Sequence, residues 1–519
     1  MVEQPENVIA PKALKTSSFE RNLIGVAKGG GVTLAGKIFT NAVRLVTVVI
    51  LARILGAEQY GMYNLALHVI TFMAGLVLLG FDTALTRFLA ISVARQEHDK
   101  TWGFIQLGIG IPLLLSVITN IGLYLLAYPI AEWAFHDAQM APLLQIVSVF
   151  ASFSVLSDAL IGAVRGFKNM QYPVIAKFVV QPIVKVVLIG IVAIWGLQVS
   201  HAVIIFGVGE LVAALMLFYY LNELFSLRQP ISTAQRNLRE MMVYAVPDWL
   251  SSLLTTFRVN IQVLLVGSLG SITGAGVFAV ANQLNRIGHD FYTSINTSAT
   301  PYIAELHETG KNTQLEQMYQ TTTKWSLIIN LPFFLVFVLF PTQFLSIFGE
   351  SFVGGATALI ILAWANLVDV GTGMCGTILS MTGYTRLKLV NNIISVALSI
   401  GLNVVLIPRF GVVGAAISAL VMFILLNTIR ILQVYYLLRL VPYNRSILKP
   451  ILAGLVTFVT IFTLNQWIPA GMNPLLVVTY VLVLVTMFAA MIWLMGLSAE
   501  DRMLLERVMQ KTLKRFKGK

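Results

Sequence analysis

Fourteen apolar stretches of about 20 residues, each bounded by glycine, proline or a cluster of charge, follow one another from Val32 to Met495. A helix of that length matches a hydrocarbon layer about 30 Å thick. Inside such a layer every backbone amide must be paired within the protein, which favours helices. The expected fold is an all-α polytopic membrane protein.

Composition agrees. The 519 residues are 57% hydrophobic and 11% charged, against roughly 25% charged in an ordinary soluble domain, and the mean hydropathy is +0.82. No stretch reads as a soluble domain with a polar skin. The net charge of +12 is scattered through short loops without a basic aromatic platform, so nucleic acid is not the expected partner. Cys375 is the only cysteine, which excludes disulfides within the chain and thiolate metal sites. The segment Met1 to Glu20 is polar and lacks the apolar core and cleavage site of a secretory signal; the first span is expected to be retained as the insertion signal.

The spans fall into two groups of six. Spans one to six run near Val32–Leu51, Met62–Phe81, Trp102–Leu126, Leu143–Ala163, Val174–Trp195 and Ala202–Leu221. Spans seven to twelve run near Val243–Leu265, Ala275–Thr297, Trp325–Phe344, Ala356–Met381, Leu389–Ile407 and Val413–Tyr436. The expected organisation is a six-helix bundle over 1–222, a cytoplasmic linker over 223–242, a second bundle over 243–438, two further spans within 439–497, and a basic tail over 498–519. With both termini inside, alternate loops hold the basic residues, among them Arg87, Arg95 and Lys100, then Arg165 and Lys168, then Arg228, Arg236 and Arg239. Loops on the other side are nearly free of Lys and Arg, as the positive-inside rule requires. This places the chain in the cell membrane with cytoplasmic termini. The tail carries apolar residues at roughly helical spacing among its charges and reads as an amphipathic helix on the inner leaflet, or as a disordered basic segment.

The two groups resemble copies. Leu55-Gly56 followed by Gly61-Met62-Tyr63 answers Leu269-Gly270 followed by Gly276-Val277-Phe278, and Arg165-Gly166-Phe167 answers Thr382-Gly383-Tyr384. Glycines coinciding in apolar sequence are the bland alternative. Against it, Arg44 stands twelve residues before Gly56 and Arg258 twelve before Gly270. With an even number of spans per copy, the repeats insert the same way up, as in transporters whose bundles rock around a central site.

Charges within spans are costly and mark function by default. Lys37 and Arg44 fall in span one, Arg258 in span seven, Arg286 and Asp290 in span eight, and Arg430 in span twelve; Asp158, Glu210, Asp248 and Asp369 lie in or near spans. Arg286 and Asp290, four apart, can neutralise each other. Arg44 and Arg258 have no acid three or four positions away. Facing one cavity they would bind an anion, and the planar guanidinium suits phosphate; pairing with acids on neighbouring helices is the alternative. Lys37 lies on about the face of Arg44, and Asn260 and Gln262 extend a polar strip on span seven. The candidate anion-binding residues of the cavity are therefore Arg44, Arg258, Lys37, Asn260 and Arg286, with Asp248, Asp290 and Asp369 as candidate ion-coupling acids. Pro247 and Pro332 suggest kinks in spans seven and nine. No catalytic motif is present, and no enzyme activity, metal or cofactor is expected.

The run Leu51-Ala52-Arg53-Ile54-Leu55-Gly56 with Tyr60-Gly61, Gly80 with Arg87, and Pro408-Arg409-Phe410-Gly411-Val412-Val413-Gly414-Ala415-Ala416 resemble the polysaccharide flippase family of the multidrug, oligosaccharidyl-lipid and polysaccharide exporter superfamily, over nearly the whole chain. The resemblance implies a polyprenyl-pyrophosphate-linked oligosaccharide cargo moved between leaflets by alternating access. A monomer is expected because the cavity would form within one chain, with a polysaccharide polymerase or glycosyltransferases as the expected associates. An ion-coupled multidrug exporter of the same fold and a non-transporting component of polysaccharide assembly are the competing readings.

Overall fold

The computed structural model describes residues 18–468 and 473–496, with the side chains of 18–40 and of Ser251, Thr255, Arg258, Val259 and Pro474 outside the description. The side chains of Lys37 and Arg258 and the basic tail over 498–519 thus lie beyond what can be described. Every regular element among the described residues is helical.

The helix Ser18–Val77 contains two spans, because Gly56 takes φ 71° and ψ 177° in its middle. This conformation is open to glycine and strained for other residues. The chain doubles back there. Asn41, before Gly56, bonds Asp290, while the carbonyl of Gly75, beyond it, accepts from Trp249 Nε1 at 2.9 Å. Those two partners lie at similar distances on either side of the turn at Gly270 and Ser271, so the arms of the first helix run antiparallel. Span two then continues through a 47° bend into Phe81–Ala94. The helix Thr385–Leu438 is doubled in the same way at Gly411, φ 55° and ψ −130°. There a Cβ on Gly414 would strike the carbonyl of Leu406, whereas a straight helix would hold residues eight apart about 12 Å from each other.

Spans three to six are His98–Leu125, Met140–Gly166, Gln171–Ala193 and Val199–Leu224. A short helix, Ala127–Phe135, occupies the loop before span four. Spans seven and eight are Leu238–Leu269 and Ile272–Glu308; Ser271 caps the latter by accepting from Gly274 N. Spans nine and ten are Asn312–Leu339 and Glu350–Met381. After the doubled helix of spans eleven and twelve come spans thirteen and fourteen, Arg445–Trp467 and Leu475–Leu494, which pack on span nine. Nine helices among the described residues have the length and apolarity of a membrane span on their own. One of these is the doubled helix, and spans one, two, seven and eight, which hold most of the polar seam, complete fourteen.

Each bundle has its own apolar core: Phe81, Leu85, Leu89, Leu160 and Leu217 are buried in the first, and Ile303, Met318, Ile378 and Val434 in the second. A shared cluster, including Leu51, Leu65, Val266, Phe278 and Phe352, joins the bundles at the end where Gly56 and Gly270 turn. The joint is symmetric. A Cβ on Gly61 would strike the carbonyl of Ile272, and one on Gly276 the carbonyl of Ala57. Residue 61 answers 276 and residue 57 answers 272, so the repeat legible in the sequence appears as a pseudo-twofold contact. The helices of spans seven and nine continue through Pro247 and Pro332; the backbone leaves helical geometry at Gly56 and Gly411 and bends before Phe81. The linker is anchored to span three, where Trp102 Nε1 donates to the carbonyl of Pro230 at 3.1 Å and Gln235 N to that of Asp99 at 3.0 Å.

Candidate functional site

Spans one and two meet spans seven and eight along the seam between the bundles. Midway along it, Arg44 Nη2 donates to Asn41 Oδ1 at 2.7 Å, and Asn41 Nδ2 donates to Asp290 Oδ2 at 2.8 Å. The guanidinium is 3.5 Å from the same carboxylate oxygen. Arg44 therefore has an acid partner, on the other bundle. This corrects the expectation that Arg286 and Asp290 neutralise each other: Asp290 turns toward Arg44, and Arg286 is exposed with no carboxylate partner among the described residues. Its charge nonetheless reaches Arg44.

The one carboxylate at this point of the seam is thus engaged by Arg44, while the charge of Arg286 stands close by, leaving local positive charge. The Nε of Arg44 is buried without a hydrogen-bond partner, while about a third of its side chain is accessible, 32%. A group with several acceptor oxygens could satisfy both cations where a single carboxylate cannot.

Arg286 and Asp290 also line a polar cavity of about 830 Å³ in the second bundle. Asp369 lies in its wall, accepting from Asn427 Nδ2 at 2.9 Å with His289 Nδ1 at 3.6 Å. Arg430 Nη1 reaches Asn427 Oδ1 at 3.5 Å. On the other flank of Arg44, Leu45, Val49, Ile287, Phe291, Phe333 and Val481 line an apolar groove of about 450 Å³. Charged seam and greasy groove share spans one and eight.

Other candidates are engaged elsewhere. Asn260 Oδ1 is paired with His68 Nδ1 at 2.7 Å across the seam, and its amide donates to the carbonyl of Thr256. Asp248 accepts from Thr83 Oγ1 at 2.8 Å nearer the bend of span two. Of the eight candidates, the structure brings Arg44, Arg286 and Asp290 together and sets Asp369 in the adjoining cavity. Asn41 and His289 enter the site without having been singled out as site residues. Asn41 carries no charge to draw attention, but its spacing of three from Arg44 was a usable signal.

The fold and seam define a class: an α-helical membrane transporter built from two related six-helix bundles with two added helices. The model of the family described as polysaccharide biosynthesis protein matches residues 26–307, more than half of the chain, and the chain belongs to that family. A second family model, described as MatE, matches residues 247–405. The chain is 23% identical over 418 residues to stage V sporulation protein B of Bacillus subtilis, covering 75% of this chain and 80% of that one. It is 26% identical over 337 residues to a probable flippase, AglR, of Haloferax volcanii, covering 61% and 68%. Among solved structures, the lipid II flippase MurJ in an inward closed conformation superposes with a TM-score of 0.71 at 12% identity, over 89% of this chain and 98% of that one. An inward-facing multidrug resistance transporter of the MATE family gives 0.65 at 16% identity, over 77% and 95%. The fold is the one these transporters share.

Proposed function

We propose that this protein flips a polyprenyl-pyrophosphate-linked oligosaccharide across the cell membrane by alternating access. The observation that carries the reading is two guanidiniums at the seam, Arg44 tied to Asp290 by a 3.5 Å contact and Arg286 close enough for its charge to reach Arg44 but without a carboxylate partner among the described residues. A diphosphate there would displace a weak 3.5 Å ion pair and take both cations in charge-assisted hydrogen bonds. The apolar groove beside Arg44 suits the isoprenoid tail, and the polar cavity beside Arg286 suits the sugars. Lys37 and Arg258, by their positions on spans one and seven, would add to the cationic wall. The alternation of Lys and Arg between loops supports cytoplasmic termini. Family membership and the relatives named as flippases are consistent with the reading.

A second reading, an ion-coupled drug exporter, draws on Asp369. It sits with His289 and Asn427 in a cavity able to receive a cation. Purified protein in liposomes with a fluorescent lipid-linked sugar, compared with efflux of a cationic dye, separates the two. The proposal requires movement of the sugar lipid and its loss in Arg44→Ala; dye efflux alone would refute it.

A further inference from the structure

The first bundle contains a buried charge network apart from the seam. Lys177 Nζ lies 2.7 Å from Glu210 Oε2, 3.5 Å from Asp158 Oδ1 and 3.3 Å from Ser157 Oγ. Lys185 Nζ is 3.6 Å from Glu210 Oε1, and Gln181 Nε2 donates to that same oxygen at 2.5 Å. Two lysines from span five therefore meet one acid each from spans four and six. Lys177 stands in a π-helical stretch, Val174–Val180. Beyond it Pro182 lacks the amide that an α-helix would offer to the carbonyl of Phe178, and such widened turns are frequent at functional sites.

The four charges are not equally held. Glu210 faces three donors and is 5% accessible, whereas Asp158 has one long contact to Lys177 and is 39% accessible. Among the described residues, the charged groups acting on Asp158 are Lys177 on span five, Glu210 on span six, Asp82 at the bend of span two, and Arg165 two turns along its own helix. Span four packs against spans one, two, three and six, so it lies inside the bundle.

We propose that Asp158 is a proton-exchange site of the first bundle, and that its protonation releases Lys177 to Glu210 and unties span four from span five. A proton is the fitting ligand because the Lys177 ammonium already fills the space between the oxygens of Ser157, Asp158 and Glu210, where a metal cation would sit. Charge balance follows directly. With Asp158 ionised the network holds two positive and two negative groups; with it protonated, one negative group faces both lysines.

The direct test does not depend on cargo. Infrared difference spectra of the purified full-length protein, recorded on acidification from neutral pH, are expected to gain a protonated-carboxyl band that Asp158→Asn loses. An unchanged band in that variant overturns the proposal. Should Asp158→Asn not fold, Asp158→Glu serves instead, because its band must move in frequency if this residue carries the proton, and an unmoved band overturns the proposal. A second readout rests on the transport reading. An imposed proton gradient is expected to accelerate flipping of a fluorescent polyprenyl-pyrophosphate sugar in liposomes, with the acceleration lost in Asp158→Asn and retained in Asp158→Glu. Acceleration undiminished in Asp158→Asn contradicts the proposal, whereas a carboxyl band lost in Asp158→Asn sustains it even where no sugar lipid moves.

Discussion

Asp290 pairs with Arg44 across the seam, at 3.5 Å, and not with Arg286, the residue one turn back on its own helix. The carboxylate thereby links the two bundles at the place where their cationic side chains meet. A link of this kind is weak enough to be exchanged: the ion pair is long, one partner is a third accessible, and such pairs contribute little when solvent reaches them. An anion entering the seam would compete with Asp290 for Arg44.

Replacing Arg44 by Ala should therefore weaken binding of a polyprenyl pyrophosphate by about tenfold or more, since hydrogen bonds to charged groups are worth roughly 1.5–3 kcal/mol. Arg286→Ala should produce a loss of similar size. Affinity measured by quenching of a labelled polyprenyl pyrophosphate checks both. Equal binding by wild type and by the double variant would remove the physical basis for the assigned cargo.

Asp290→Asn is expected to act in the opposite sense on binding. It keeps an acceptor for Asn41 but removes the charge that competes for Arg44, so the diphosphate should bind more tightly and turnover should slow as release becomes harder. Paired measurements of affinity and of flipping rate in liposomes test this. Weaker binding in Asp290→Asn would mean that the carboxylate orients Arg44 more than it competes with it.

The spans and the repeat were legible in the sequence because both depend on local properties: the length of apolar runs and the fixed offset between Arg44–Gly56 and Arg258–Gly270. The partner of Asp290 was not. Helix spacing put Arg286 within reach, and only the docking of span one onto span eight supplies the competitor, Arg44, with Asn41 between them. Lys177 and Lys185 were missed for another reason. Their charges are diluted in an apolar run, and Glu210, 33 residues beyond Lys177, meets them only in the folded bundle. The spacing Lys177, Gln181, Lys185 along one helix was the available signal.

The close crossing of Gly61 and Gly276 leads to a stability prediction. A side chain at either position would strike backbone carbonyl, with no flexible group to yield. Gly61→Val and Gly276→Val should each destabilise the assembled bundles by about 1–3 kcal/mol, the usual range for overpacking. Thermal unfolding in detergent measures the loss. The same variants should increase labelling of a cysteine introduced at Ala57, because the bundles must part there to accommodate the methyl groups.

Asp369 offers the sharpest separation of the two functional readings. Its carboxylate accepts from Asn427 and faces His289 in the cavity of the second bundle, whose wall also holds Arg286 and Asp290. Asn in its place keeps the shape and an acceptor oxygen for Asn427 but cannot carry the charge that attracts a cation. If the cargo is anionic and held by Arg44 and Arg286, Asp369→Asn should leave affinity for polyprenyl pyrophosphate within about twofold, since removing a negative charge near an anion site does not cost binding. If the protein extrudes cationic drugs, the same variant must lose drug binding and ion-driven efflux together. Measuring both ligands on one preparation decides the matter: retained diphosphate affinity favours the flippase, and selective loss of cationic dye binding favours the exporter.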